Sequence, residues 1–158
     1  MLLSSILIII AAAAGLAYLS NSGQAPGLIN EKLVDCPSKP NCVCSEKSDD
    51  AKHFIEPVQL MPGQQEIAMQ AVKHSVLELG GYIKNEQANY LASTFASTLF
   101  GFIDDVEIRI DAKQGLVHLR SASRVGYSDL GVNRKRVVAL KSTIQHHLDT
   151  MTGTSRDQ

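Results

Sequence analysis

Two runs of alternating apolar and polar residues, 103–111 and 116–125, constrain the fold of this chain more than any other feature. Side chains two residues apart on a strand share one face. The apolar positions include Val106, Ile108, Ile110, Val117 and Leu119. The opposite positions include Asp105, Glu107, Arg109, Asp111, His118, Arg120 and Arg124. The runs therefore predict two strands that share one buried apolar face and one charged face.

The four residues between the runs, 112–115, predict a tight connection between the strands. Gly115 can adopt the positive φ that closes a hairpin. Apolar side chains must meet across the hairpin, so Ile108 is expected opposite Leu119 or Val117. A slip of one residue would turn every side chain to the wrong face, so burial specifies the register.

Two registers of the hairpin satisfy this burial, and they differ in the pairs formed on the charged face. One places Glu107 opposite Arg120 and Arg109 opposite His118. The other places Asp105 opposite Arg120 and Glu107 opposite His118. Acids meet bases in both, so we expect ion pairs across the hairpin to maintain its register.

The first twenty residues predict a membrane anchor or a signal peptide. Residues 2–19 carry no charge and, at about 1.5 Å per residue in a helix, reach roughly 27 Å, close to the thickness of a bilayer core. The run lacks a basic start and is longer than most signal-peptide cores, which favours an uncleaved anchor. Ser20 and Ser22 are small residues that leave cleavage as the alternative.

Composition divides the rest of the chain. Residues 21–30 are rich in Asn, Ser, Gly, Gln and Pro and predict a flexible linker. A single domain is expected over residues 31–150, followed by a disordered tail at 151–158.

The net charge of -1 argues against a nucleic-acid binder, which needs a basic excess. No glycine-rich phosphate loop is present, and we expect no cofactor.

Three cysteines follow the predicted linker. Cys36 and Cys42 flank a loop stiffened by two prolines, and a disulfide between them would leave Cys44 over. Free thiols are one alternative. A metal site with His53 as fourth ligand is another, but the spacings do not match those of structural zinc sites, and we expect no metal. A disulfide agrees with a domain placed outside the cytoplasm.

The remaining periodicities predict an α+β fold. The expected elements are a short strand within 54–60, a helix over 64–79, strands over 82–86 and 90–99, and a helix from about 131 or 133 to near 150. Two helices on one face of an antiparallel sheet of four or five strands give a two-layer sandwich.

Carboxylates and a histidine on the charged face define an enzymatic alternative. Asp105, Glu107 and His118 are the candidates for an envelope enzyme, such as a hydrolase. Two carboxylates that share a face are weak evidence for catalysis, and the opposing arginines favour ion pairing. We therefore assign no catalytic residue.

A basic cluster at the start of the last helix predicts a negative charge nearby, for which the chain's own acids are preferred over a bound anion. Arg134, Lys135 and Arg136 lie where the helix dipole disfavours cations, so an acid of the chain or a bound anion is expected nearby. The candidate anion or partner site comprises Arg120, Arg124, Arg134, Arg136, Asp105, Glu107 and His118. The expected partner is an anionic small molecule, a lipid head group or an envelope protein.

Three segments carry a family resemblance: 36–43 (CPSKPNCV), 100–107 (FGFIDDVE) and 120–134 (RSASRVGYSDLGVNR). Together they resemble the bacterial and plastid family catalogued as domain of unknown function 1499, over residues 33 to about 148. The resemblance implies an envelope or lumenal protein, often behind an N-terminal membrane segment, with no established activity. The family usually has serine at the position of Cys44, which implies that Cys36 and Cys42 are the natural pair.

These observations predict a membrane-tethered envelope protein with a single membrane pass and its C-terminal domain in the periplasm or an equivalent space. A non-catalytic binding or assembly module is the preferred function. The enzyme that uses the carboxylates and the histidine is the alternative. A flat face of saturated ion pairs would favour the binding module, and a deep pocket lined by those residues would favour the enzyme.

Overall fold

The computed structural model describes residue 11, residues 14–97 and residues 101–154. It has the predicted α+β class. The strands are β1 (Leu28–Ile29), β2 (Lys32–Leu33), β3 (Cys42–Cys44), β4 (Val58–Gln59), β5 (Tyr82–Gln87), β6 (Tyr90–Ala96), β7 (Ile103–Asp111) and β8 (Leu116–Ser123). Helix α1 (Ala68–Glu78) lies between β4 and β5 in the chain, and helix α2 (Val132–Thr154) follows β8. Residues 14–22 are helical as well.

The main sheet is antiparallel and runs in the order β3-β8-β7-β6-β5, with β4 also paired to β8. It thus has six strands within the described residues, and the prediction of four or five was wrong. Strand β4 lies within the strand predicted over 54–60, so β3, with three residues, is the strand that was missed. A run this short shows no alternation, because a period of two needs several residues to become visible.

The central hairpin, β7 and β8, has the first of the two predicted registers. Glu107 lies opposite Arg120, and Ile108 lies opposite Leu119. Gly115 has the positive φ of 66° that the turn requires. The first of the two registers is therefore the observed one; it sets Glu107 opposite Arg120, whereas Asp105 lies opposite Ala122 and Asp111 opposite Leu116.

Both numbered helices pack on the apolar face of the sheet and close the core. Burying each large aliphatic side chain there contributes roughly 1.5 to 3 kcal/mol. The fully buried members include Val72, Val76, Leu91, Val106, Ile108, Val117, Leu119, Val137, Leu140, Ile144 and Leu148. The predicted stripe of α2 is confirmed from Val137 to Leu148.

The helix ends differ from the predictions. Helix α1 starts at Ala68, four residues later than expected, and Leu79 lies beyond its end and is 37% exposed. Helix α2 begins at Val132, where Asp129 accepts hydrogen bonds from the backbone N–H groups of Gly131 and Asn133 at 3.1 and 2.6 Å. It continues to Thr154, into the predicted tail, and residues 155–158 lie outside the described residues.

Residues 21–30, predicted as a flexible linker, are packed against the sheet. Leu28 and Ile29 pair with Lys32 and Leu33 in a two-stranded ribbon. The backbone N–H of Gly27 donates to Glu107 Oε1 at 2.9 Å. The composition of this stretch misled the prediction, because its order comes from contacts with the distant charged face and not from its own side chains.

The predicted anchor, residues 1–20, lies mostly outside the described residues, as do residues 98 and 99 at the end of the strand predicted over 90–99. In the part of the chain that is described, no helix is both long enough and apolar enough to cross a membrane. Residues 14–22 form helical turns that end against the sheet.

The predicted disulfide is present between Cys36 and Cys42, whose Cα atoms are 5.7 Å apart. Cys44 is the free cysteine within the described residues, and it is buried. Burial raises the pKa of its thiol above the ordinary value. Of the three readings of the cysteines, the disulfide is therefore confirmed.

Removing the disulfide is expected to destabilise the domain moderately. For a loop this small, chain entropy predicts a loss of about 2 kcal/mol for the double variant Cys36→Ser/Cys42→Ser. Denaturant unfolding measures the loss, with Cys44→Ser as the matched control that leaves the bridge intact. Alkylation of both thiols in unreduced protein, followed by mass spectrometry, would contradict the bridge itself.

Candidate functional site

The charged face of the sheet is buried beneath the N-terminal segment, residues 20–46. The carboxylate of Asp105 forms a two-point ion pair with Arg124, with Nε to Oδ2 at 2.9 Å and Nη2 to Oδ1 at 2.7 Å. Arg124 also donates to the backbone oxygen of Ser20 at 2.9 Å. The guanidinium therefore joins the sheet to the N-terminal segment.

Glu107 is the most enclosed acid of this face and has no exposed surface. It accepts hydrogen bonds from Arg120 Nη1 at 2.9 Å, from the Tyr90 hydroxyl at 2.8 Å and from the Gly27 N–H. Burial, together with the hydrogen bond to Glu107, raises the pKa of Tyr90 far above its ordinary value. Tyr90 is thus fixed as a neutral donor.

Glu46 completes the face and was not predicted from the sequence. Its Oε1 accepts from Arg109 Nε at 2.7 Å, and its Oε2 lies 3.8 Å from His118 Nδ1. Burial lowers the pKa of His118, which also contacts the Ser45 hydroxyl at 3.2 Å. A weak signal existed in the sequence, because Arg109 had no acid opposite it in the confirmed register.

Asp104, Arg136 and Asn133 form a separate polar cluster on the apolar side of the sheet, next to the helices. Asp104 accepts from Arg136 Nη2 at 2.8 Å. Asn133 bonds Ser121 and Arg136, and its amide donates to Asn41 O at 3.0 Å. The parity of Asp104, which equals that of Val106, could have revealed this side of the sheet.

The predicted site residues are therefore divided between two faces. Arg120, Arg124, Asp105, Glu107 and His118 share the charged face, and Arg136 belongs to the helix side. Arg134 donates to the backbone oxygens of residues 54 and 52 at 2.9 and 3.1 Å. The arginines do not converge on one point, and the chain's own acids and carbonyl groups contact each of them.

A cleft of about 540 Å³ opens at the edge of the charged face, between the N-terminal segment and strands β5 and β6. Its volume lies within the range of about 300 to 1,000 Å³ that small-molecule sites occupy. The lining residues are Asn21, Gly23, Gln24, Ala25, Gly27, Leu28, Lys84, Asn85, Gln87, Tyr90, Ala92, Ser93, Asp105 and Arg124. Two predicted site residues, Asp105 and Arg124, thus lie in its wall.

Strand β5 supplies the polar groups of the cleft through a bulge. Ile83 pairs with Ser93 whereas Asn85 pairs with Ala92, so Lys84 is an extra residue in the strand. Bulges of this kind redirect side chains and are frequent beside functional sites. The ammonium group of Lys84 lies 4.4 Å from the centre of the Tyr82 ring.

The family model described as "Protein of unknown function (DUF1499)" matches residues 32–144, about seven tenths of the chain. The chain belongs to the DUF1499 family. A search of curated proteins found no match. The resemblance inferred from the three sequence segments is thereby confirmed.

The cleft of this DUF1499 chain has a floor from residues within the family match and a facing wall from residues outside it. Tyr90, Asp105 and Arg124 lie within the matched residues. Residues 21–28, which form the facing wall, precede the match. The part of this DUF1499 chain that is described contains no group of three or more His, Cys, Asp or Glu side chains arranged to hold a metal ion.

Proposed function

We propose that this DUF1499 chain is a membrane-tethered, non-catalytic binding module of the cell envelope, and that its ligand is a small anionic molecule bound in the cleft beside β5. The observation that carries the proposal is the contrast between the two charged regions. The acids and bases of the sheet face neutralise one another, whereas the cleft retains a cation without a counter-charge.

Internal ion pairs saturate the charged face. Asp105 is neutralised by Arg124, and Glu107 by Arg120. The covering segment leaves the side chains of both pairs at most 11% exposed. A ligand that entered here would have to break buried ion pairs, which costs several kcal/mol. These groups therefore serve to shape and support the cleft.

The polar groups of the cleft that lack a charged or hydrogen-bonded partner are one ammonium group and three side-chain amides. Within the described chain, Lys84 contacts the Tyr82 ring but has no ion pair, and the side-chain amides of Gln24, Asn85 and Gln87 make no hydrogen bond. An amide offers both a donor and an acceptor, and an ammonium group offers three donors. A carboxylate or phosphate with neighbouring hydroxyl or amide groups fits this combination.

The envelope location rests on two further observations. The disulfide between Cys36 and Cys42 is typical of oxidising compartments. The uncharged residues 2–19 have the length and composition of a membrane anchor. Together they favour a single membrane pass with the domain on the extracytoplasmic side.

The alternative function, a hydrolase that uses Asp105, Glu107 and His118, is less favoured by the geometry. A general base needs a lone pair that faces its substrate. Glu107 has no exposed surface, and His118 is directed to Ser45 and Glu46. Neither residue lines the cleft.

Lys84→Ala is expected to weaken binding of N-acetylmuramic acid, a sugar that carries both a carboxylate and an acetamido group, about tenfold. A hydrogen bond to a charged group contributes roughly 1.5 to 3 kcal/mol, and 1.4 kcal/mol corresponds to a factor of ten. Isothermal titration calorimetry on the full chain measures the change. Lys113→Ala, in the exposed hairpin loop, is the matched control.

N-acetylglucosamine, which lacks the carboxylate, is the control ligand. It should bind more weakly to the unchanged chain and should not respond to Lys84→Ala. Equal affinities of the Lys84→Ala and Lys113→Ala chains for the sugar acid, or no binding of the acid to the unchanged chain, would overturn the proposed ligand class.

A further inference from the structure

We propose that the loop of residues 126–132 inserts into the interfacial layer of the same membrane that holds the N-terminal segment. The inference rests on the membrane attachment in the proposed function and goes beyond it, because it assigns a second lipid contact to the folded domain. The carrying observation is that two sets of exposed apolar side chains lie at one end of the sheet.

The first set belongs to the loop itself. Leu130 is 88% exposed and Tyr127 is 70% exposed, and Val132 at the start of α2 is 42% exposed. Single exposed apolar residues are ordinary, but a group of them on one short loop marks an interaction surface. The loop therefore offers an aromatic and two aliphatic side chains to a partner.

The backbone of the loop holds Leu130 in an unfavourable conformation. Its φ is +54°, in the left-handed region that leucine rarely adopts. Asp129 keeps the next residues in place, because its carboxylate accepts from the N–H groups of Gly131 and Asn133. The loop is thus built to present Leu130 outward, although burying this side chain would be more favourable for an isolated domain.

The second set belongs to the N-terminal helical residues 14–22. Leu16, Tyr18 and Leu19 are 42%, 74% and 58% exposed. These residues continue the uncharged run that begins at residue 2. An apolar helix surface next to such a run is expected in lipid.

Hydrogen bonds place the two sets at the same end of the sheet. The N–H of Ile103, the first residue of β7, donates to Ser20 Oγ at 2.6 Å. Arg124, the first residue after β8, donates to Ser20 O at 2.9 Å. Gly126, two residues later, accepts from Asn41 Nδ2 at 3.1 Å. The loop therefore starts within a few residues of the point where the N-terminal helix meets the domain.

A lipid surface fits this loop better than a protein partner does. Tyrosine is enriched where membranes meet water, and leucine enters the boundary of the acyl chains. Lys135, exposed one turn into α2, can reach anionic head groups. The acid of the loop, Asp129, is partly buried and its carboxylate faces the backbone N–H groups of Gly131 and Asn133.

The chain contains no tryptophan, so one introduced indole reports its own depth. The test places Leu130→Trp, and separately Tyr127→Trp, in the full chain reconstituted into vesicles of phosphatidylcholine and phosphatidylglycerol with bromine near the head-group end of the acyl chains. The expected result is loss of roughly half or more of the indole emission, since interfacial side chains reach about 5 to 10 Å into the boundary.

Met61→Trp is the matched control. Met61 is 53% exposed and lies near Gly115, at the opposite end of the central hairpin, since Leu60 N–H donates to Gly115 O. Its emission should be unaffected by bromine. Vesicle-bound chains in which neither loop indole is quenched more than the control would overturn the inference and leave the tether intact. Failure of all chains to bind vesicles would overturn both the tether and the loop contact.

Discussion

Glu107→Gln is expected to lower the free energy of unfolding by about 3 kcal/mol or more, because it leaves the buried guanidinium of Arg120 without a counter-charge. Both side chains are almost completely enclosed, at 0% and 8% exposed. Glu107 also accepts from Tyr90 and Gly27, whereas Arg120 makes one hydrogen bond and its Nε is buried without a partner in the described chain. Urea unfolding monitored by circular dichroism measures the loss.

The double variant distinguishes pairing from two independent roles. Arg120→Gln should also cost about 3 kcal/mol, and Glu107→Gln/Arg120→Gln should cost less than the sum, with a coupling energy of about 1 to 3 kcal/mol. The exposed pair Lys73 and Glu86, at 38% and 40% exposed, is the matched control. Its coupling should stay below about 1 kcal/mol. Additive losses at Glu107 and Arg120 would refute the pair as a structural unit.

Asn133→Ala is expected to destabilise the domain by about 3 kcal/mol. Asn133 is 1% exposed, and its amide joins the start of α2 to Asn41 in the loop before β3 and to Ser123 at the end of β8. Alanine would leave these buried partners without their hydrogen bonds, at about 1 to 3 kcal/mol for each group that finds no replacement. Thermal unfolding and denaturant unfolding should both show a loss of stability.

A second substitution in α2 controls for changes in helix propensity. Ser142 is exposed, and Ser142→Ala should change stability by no more than about 0.5 kcal/mol. An effect of Asn133→Ala that is as small would show that water replaces the amide at no cost. In that case the contact between α2 and β3 would depend on apolar packing alone.

The accuracy of the sequence-based predictions follows from the range of the interactions behind each feature. The hairpin register was predictable, because alternation within β7 and β8 and the short loop between them are local. The stripe of α2 was predictable for the same reason. The partnership of Arg109 with Glu46 was not, since 63 residues separate them and no local pattern relates them.

The cleft depended on contacts that composition concealed. Residues 21–28 are polar and rich in glycine, which ordinarily indicates a linker. Their order comes from Glu107 and Arg124, which bind Gly27 and Ser20. Gly23 allows this approach, since a Cβ there would lie 2.9 Å from Arg124 Cδ. A linker prediction from composition alone therefore hid one wall of the candidate site.

By itself the sequence determined the α+β class and the two faces of the central hairpin, and it limited the register to two alternatives, because the period of two encodes burial directly. It also identified the family and the pair of cysteines that form the disulfide. The tertiary structure alone decided that the charged face is covered, that Glu46 completes it, and that Lys84, which has no ion pair in the described chain, lies at a bulged edge strand. Alternation records which side chains face inward. The partner that each charge meets depends on which distant segment packs against it.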